Sequence, residues 1–194
     1  DHSIPDPVLT PKGQLQALGV PSTYSVFFSS LDYKTTVILT SPFRRCMQTT
    51  LAAFASVLPP VAINPTPLVI LPQLQECGKE PCDTGSDLEA TKAMFPQDFL
   101  DWSNCTEGWN SNEGFYEATE EKQQERAKWV RKWLRECKAE KVVVVCHHGF
   151  LRRLTKTPPL GALWPNAELR EYEFKDPSGE DEEADIVKVV NPVL

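Results

Sequence analysis

Apolar and polar positions along this chain follow two rhythms. Some segments repeat near 3.6 residues and others are short unbroken apolar runs, which predicts helices interleaved with buried strands. Thr10-Pro11 opens the first helix, since threonine caps well and proline is tolerated at the first helical position. That helix runs through Gln14 and Leu18 and is expected to stop at Gly19-Val20-Pro21. A second short helix is expected over 24–31, then a buried strand over 35–40, a run rich in β-branched side chains. Ser41-Pro42 begins a helix expected to reach Leu58, where Pro59-Pro60 stops it. Residues 68–71 read as a short apolar strand. The stretch 77–112, rich in Gly, Pro, Asp, Asn and Ser, reads as loop with one helix around 87–94. The longest helix is expected over 117–138, with Ala127, Val130, Trp133, Leu134 and Cys137 along one side. The apolar run 142–146 predicts a strand buried on both faces, followed by a helix from about 149 to 155. Two alternating segments, 169–174 and 186–190, flank residues 176–185, which carry six acids and no base and read as a solvated hairpin loop.

Strands alternating with helices imply an α/β protein, a three-layer sandwich with a mostly parallel central sheet. In such sheets ligands sit beyond the carboxyl ends of the strands. The 194 residues are expected to form a single domain, with a loop-rich insertion at about 77–115 and C-terminal strands at about 168–191. Hydrophobic residues at 41% are too many for a disordered chain, and a net charge of -7 argues against a nucleic-acid binder. No run approaches the roughly 18 apolar residues of a membrane span. The first residues lack the basic and apolar regions of a signal peptide. The cysteines at 46, 77, 82, 105, 137 and 146 lack metal-type pairing and are expected to be reduced thiols. The expected compartment is therefore the cytoplasm; secretion stays open, and only there would the sequon Asn104-Cys105-Thr106 matter.

Three segments carry candidate chemistry. The strand-to-helix turn at Ser41-Pro42-Phe43-Arg44-Arg45 offers free backbone N–H groups, a helix dipole and guanidinium donors, a combination suited to a phosphate dianion. Cys146-His147-His148 delivers two imidazoles to the end of an apolar strand, where imidazole can act as nucleophile, proton shuttle or phosphate donor. Glu76 follows a short strand, where a carboxyl could protonate a leaving alkoxide. Each has a blander alternative: exposed arginines at a helix start, a structural histidine, a surface glutamate.

Together these segments resemble the histidine phosphatase superfamily, the phosphoglycerate-mutase-like enzymes. Ser41-Pro42-Phe43-Arg44-Arg45-Cys46-Met47-Gln48-Thr49 is similar to that family's S-P-x-x-R-x-x-Q-T, and Asp6-Pro7-Val8-Leu9-Thr10 to its D-P-x-L-T. Leu74-Gln75-Glu76 falls where the family places its proton-donating glutamate, and Val144-Val145-Cys146-His147-His148-Gly149-Phe150-Leu151 resembles V-V-(S/T)-H-G-G-F-L. The look is that of a fungal-type member, in which Cys82-Asp83-Thr84-Gly85 also fits.

The resemblance implies a phosphoglycerate-mutase-like fold and a metal-independent phosphatase that uses no cofactor and acts on a small-molecule phosphate ester through a phosphohistidine. It names Glu76 and His147 as catalytic, and Arg45, His147, His148 and Ser41 as phosphate-binding. Arg45 is preferred over Arg44 because it stands three positions before Gln48. His147 is preferred over His148 because the register through Phe150 selects it, so that His148 replaces a glycine. The family's nucleophilic R-H-G or R-H-A segment has no counterpart here; His2 lies too near Asp6, and the nucleophile is expected upstream of residue 1. A mutase and a catalytically dead phosphate binder are the rival readings, and no nucleic-acid or membrane partner is expected. Trp102, Trp109, Phe115 and Tyr116 either line an apolar pocket or, the preferred reading, pack the loop region.

Overall fold

The structure is a computed structural model and describes residues 2–157, 164–176 and 178–190. Four parallel strands form its centre: β1 (Thr36–Thr40), β2 (Leu68–Ile70), β3 (Leu100–Asp101) and β4 (Lys141–Val145), in the order β3-β2-β1-β4. The helices are α1 (Pro11–Thr23), α2 (Ser25–Ser29), α3 (Arg44–Ala53), α4 (Leu88–Met94), α5 (Glu120–Glu136) and α6 (His148–Leu154).

Side-chain alternation along β1 separates the layers. Ile38 packs with Val20, Met47, Phe54 and Leu58 on the side of α1–α3, while Val37 and Leu39 pack with Ala127, Val130, Phe150 and Leu154 from α5 and α6. In β4, Val143 and Val145 join the first cluster, and Val142 and Val144 the second. The expected three-layer α/β sandwich is thus present, its four-stranded sheet wholly parallel. Residues 172–174 (β5) and 186–188 (β6) form a separate antiparallel hairpin. The expected end of the last strand at 191 lies outside the described residues.

Several boundaries differ from the sequence reading. Helix α1 continues past Gly19 and through Pro21, because Ala17 and Val20 are buried and the Ser22 and Thr23 hydroxyls donate to the Gly19 carbonyl. Helix α3 starts at Arg44 rather than at Ser41-Pro42, and after Ala53 the chain tightens into a 3-10 turn before the buried Leu58. Strand β3 was invisible in the loop-rich stretch, since two residues carry no periodicity; it forms by pairing with β2. Strand β4 is not buried on both faces as expected. It ends the described sheet, pairs with β1 alone among the described residues, and every one of its residues is half-buried. No described helix is long and apolar enough to cross a membrane.

Candidate active site

Three adjacent parallel strands, β2, β1 and β4, deliver the candidate residues to one edge of the sheet. Beyond their carboxyl ends the ladder continues for one step, with the Leu71 N–H donating to Thr40 and the Ser41 N–H to Val145. Glu76 follows β2, Ser41 to Arg45 follow β1, and Cys146 to His148 follow β4.

His147 occupies the N-cap position of α6 and is 5% exposed. Its Nε2 lies 3.0 Å from the Ser41 hydroxyl and 3.5 Å from the Cys46 thiol. Burial, then the positive charges of Arg45 and Arg126, push its pKa well below the ordinary histidine value, so the ring is neutral at pH 7. The same burial drives the Cys46 thiol up to about 12, which keeps it protonated and unreactive beside the imidazole. Ser41 is itself fully buried, and its hydroxyl also accepts from the Phe43 N–H at 3.4 Å.

Phe43 joins Arg45 and His147. Its fully buried ring meets the His147 ring edge-on at 4.9 Å, and the Arg45 guanidinium lies 4.6 Å from its centroid. Arg45 donates to the Cys82 carbonyl at 2.8 Å and approaches Asp83 at 3.6 Å. The loop region therefore aims the arginine. Behind Phe43 stands Trp109, edge-on at 5.7 Å and 1% exposed, and Trp102 packs on the same cluster. These two tryptophans are packing residues rather than pocket walls, while Phe115, Tyr116 and Trp129 pack together on α5.

The Glu76 carboxyl sits against the first turn of α6. Its Oε1 accepts from the N–H groups of Cys77 (2.8 Å) and Phe150 (3.0 Å), and its Oε2 from Gly149 (3.2 Å). A Cβ on Gly149 would lie 2.4 Å from Oε1, so this approach requires glycine there. His148 is exposed, its Nδ1 3.4 Å from both the N and O of Trp164.

Three residues have supporting roles that the sequence reading did not assign. Asp6 is 1% exposed and accepts from the Arg44 N–H at 3.0 Å and from Ser86, so it caps α3 from afar. Nearby, Gln48 accepts from the Leu9 N–H at 2.7 Å, which ties the D-P-x-L-T segment to the S-P-x-x-R-x-x-Q-T segment. Arg126, on α5, is 2% exposed and donates to the backbone carbonyls of Gln75 and Glu76. The signal for Arg126 was faint: a charge at helical spacing from Val130, on the apolar side of the longest helix.

The sequence profile of the histidine phosphatase superfamily (branch 1) matches this chain over residues 2–184. The chain belongs to that superfamily. A Schizosaccharomyces pombe protein named as a probable phosphatase is 28% identical over 155 residues, a match covering 79% of this chain and 67% of that protein. The superfamily's phosphoglycerate-mutase-like sandwich is the fold observed here, and a fungal relative agrees with the fungal-type look of the motifs.

Proposed function

We propose that this chain provides the phosphate cradle and proton-transfer group of a metal-independent phosphomonoesterase that acts on a small phosphate ester through a phosphohistidine. The observation that carries this reading is the joint placement of Arg45, His147 and Glu76: Phe43 touches the first two, and Glu76 accepts from the backbone N–H groups of Gly149 and Phe150, just after His147. The name of the yeast relative points to the same class of reaction.

In the proposed reaction a nucleophilic imidazole attacks phosphorus in line, and the P–O bond to the leaving group breaks. Glu76 gives its proton to the departing oxygen. Arg45 and His147 face the equatorial oxygens, where charge spreads in the transition state, with His148 as a further donor from the exposed side. Ser41 acts by orienting His147, since its hydroxyl is already engaged. In the second half the Glu76 carboxylate takes a proton from water, which attacks the phosphohistidine and releases phosphate and the free imidazole. Oε2 accepts one N–H against two at Oε1 and is the better placed to carry that proton. The nucleophile is proposed to come from a strand preceding residue 1, and the half-buried outer edge of β4 is a surface on which a parallel strand would fit.

The test is hydrolysis of p-nitrophenyl phosphate by the full-length protein, with and without a chelator, alongside acid-labile phosphoenzyme trapping. Turnover that survives the chelator, a trapped phosphoenzyme, and a loss of about 10²-fold or more in kcat/KM for Arg45→Ala are expected. Normal turnover by Arg45→Ala would overturn the site assignment, and phosphate binding without turnover would favour a non-catalytic binder. Phosphate passed to an acceptor ester instead of water would favour a mutase.

A further inference from the structure

Helix α5 sends two polar side chains into the molecule toward the Glu76 turn. One of them, Arg126, is 2% exposed, and its Nη2 donates to three successive residues: the Gln75 carbonyl at 3.0 Å, the Glu76 carbonyl at 3.2 Å and the Cys77 sulfur at 3.3 Å. Its guanidinium also lies 4.9 Å from the ring of Phe150, whose N–H holds Glu76 Oε1. One turn earlier, Gln123 donates to the Cys77 carbonyl at 2.9 Å and accepts from Arg153 of α6 at 2.9 Å. From the opposite side Gln75 donates to the Trp109 carbonyl at 2.9 Å.

Arg126 has no carboxylate within ion-pair distance among the described residues, and its Nε has no hydrogen-bond partner. Burying a guanidinium on these terms is costly, and a methionine would fill the space more cheaply. Its hydrogen bonds all go to residues 75–77, the turn that carries Glu76. Packing alone does not explain a guanidinium there.

We infer that Arg126 is a positioning residue, which fixes the 75–77 turn and thereby the point at which Glu76 delivers its proton. This rests on the proposed role of Glu76 as the acid. A carboxyl displaced by about 1 Å loses most of its value as a proton donor, while phosphate binding through Arg45 and His147 is untouched. The consequence depends on the leaving group. A nitrophenolate departs with little need of a proton, whereas an alkoxide departs only when protonated.

The experiment compares p-nitrophenyl phosphate with glycerol phosphate as substrates of the full-length protein and of the variants Arg126→Met, Arg126→Lys and Glu76→Gln, with folding followed by circular dichroism. Arg126→Met is expected to lose roughly tenfold more kcat on the alkyl ester than on the aryl ester, with KM within about threefold. Arg126→Lys, which keeps the charge and most of the volume, is expected to show the same bias in milder form and serves if the methionine variant does not fold. In a Glu76→Gln background either Arg126 substitution should cost almost nothing further, because the two residues act as one unit. Equal losses on both substrates, no loss, or full additivity with Glu76→Gln would each overturn the inference. If Glu76→Gln alone discriminated no better between the two esters than the unaltered protein, the role of Glu76 would fall, and that of Arg126 with it.

Discussion

Helix α5 holds two acidic regions that could hardly be more different. Toward the site it grips the turn of Glu76, a single carboxyl fixed by three backbone N–H groups. Toward the far end of α6 it holds the loop between β5 and β6, where six acids crowd ten residues. There Lys128 pairs with Glu182 and Glu183, Lys156 with Glu183 and Asp185, and Arg131 reaches Glu183 and the Leu154 carbonyl that ends α6. The loop is therefore pinned to α5 and to the turn that follows α6, not simply solvated as its composition implied. Most of its charges face water; Glu183 is 47% and Lys156 41% exposed, so their pairing is screened and weak. One carboxyl is held by backbone N–H groups, whereas the acids of the loop meet lysine, arginine and water. The number of charges in a segment says little about their use; what surrounds each charge decides it.

That contrast can be broken at several points. The largest effect is expected at Glu76→Gln, which should lower kcat by about 10²- to 10⁴-fold with little change in the unfolding midpoint. Removing a carboxyl from the hairpin loop should leave kcat unchanged. Phe43→Ala should cost about 3–5 kcal/mol in denaturant unfolding, because a fully buried ring is lost. It should also weaken inorganic phosphate binding, since the ring that orders Arg45 and His147 is gone.

Gly149→Ala sharpens the comparison from the site side. Its Cβ would displace the Glu76 carboxyl while leaving the surrounding core in place. A loss of about 10²-fold in kcat is expected with only a small change in thermal midpoint. If activity survived unchanged, the carboxyl would not need its present position.

The buried imidazole predicts a pH effect of definite sign. The His147 pKa is depressed by burial, Arg45 and Arg126, so below pH 6.5 the unfolded chain takes up a proton that the folded chain refuses. Its contribution to stability is thus complete above pH 6.5 and is lost as pH falls below it, at about 1.4 kcal/mol per pH unit. Urea unfolding at pH 7, 6 and 5 should show this slope in the unaltered protein and a shallower one in His147→Gln. A bound phosphate dianion offsets the two arginines and should raise the His147 pKa, observable by imidazole NMR. The smallest effect is expected in the hairpin loop, where Glu183→Gln should cost about 1 kcal/mol or less and the difference should shrink in 1 M salt.

Much of this molecule was written in local sequence. The order of helices and strands follows from periodicity and from capping and breaking residues, and the parallel arrangement from strands alternating with helices. That order places Arg45, Glu76 and His147 after three strands, and hence at the same edge of the sheet. What periodicity could not supply is any relation between segments distant along the chain. Asp6 caps a helix 38 residues away, Arg126 grips a turn 50 residues before it, and Phe43 and His147 meet across 104 positions, a separation read directly from their numbers. Nor could it show that β4 ends the described sheet half-buried, or that two residues would pair as β3. Hydrophobic patterning decides which face of each element turns inward. Which side chains then touch is decided only when the layers close, because hydrogen bonds and ring contacts are made across a few ångströms of space and not along the chain.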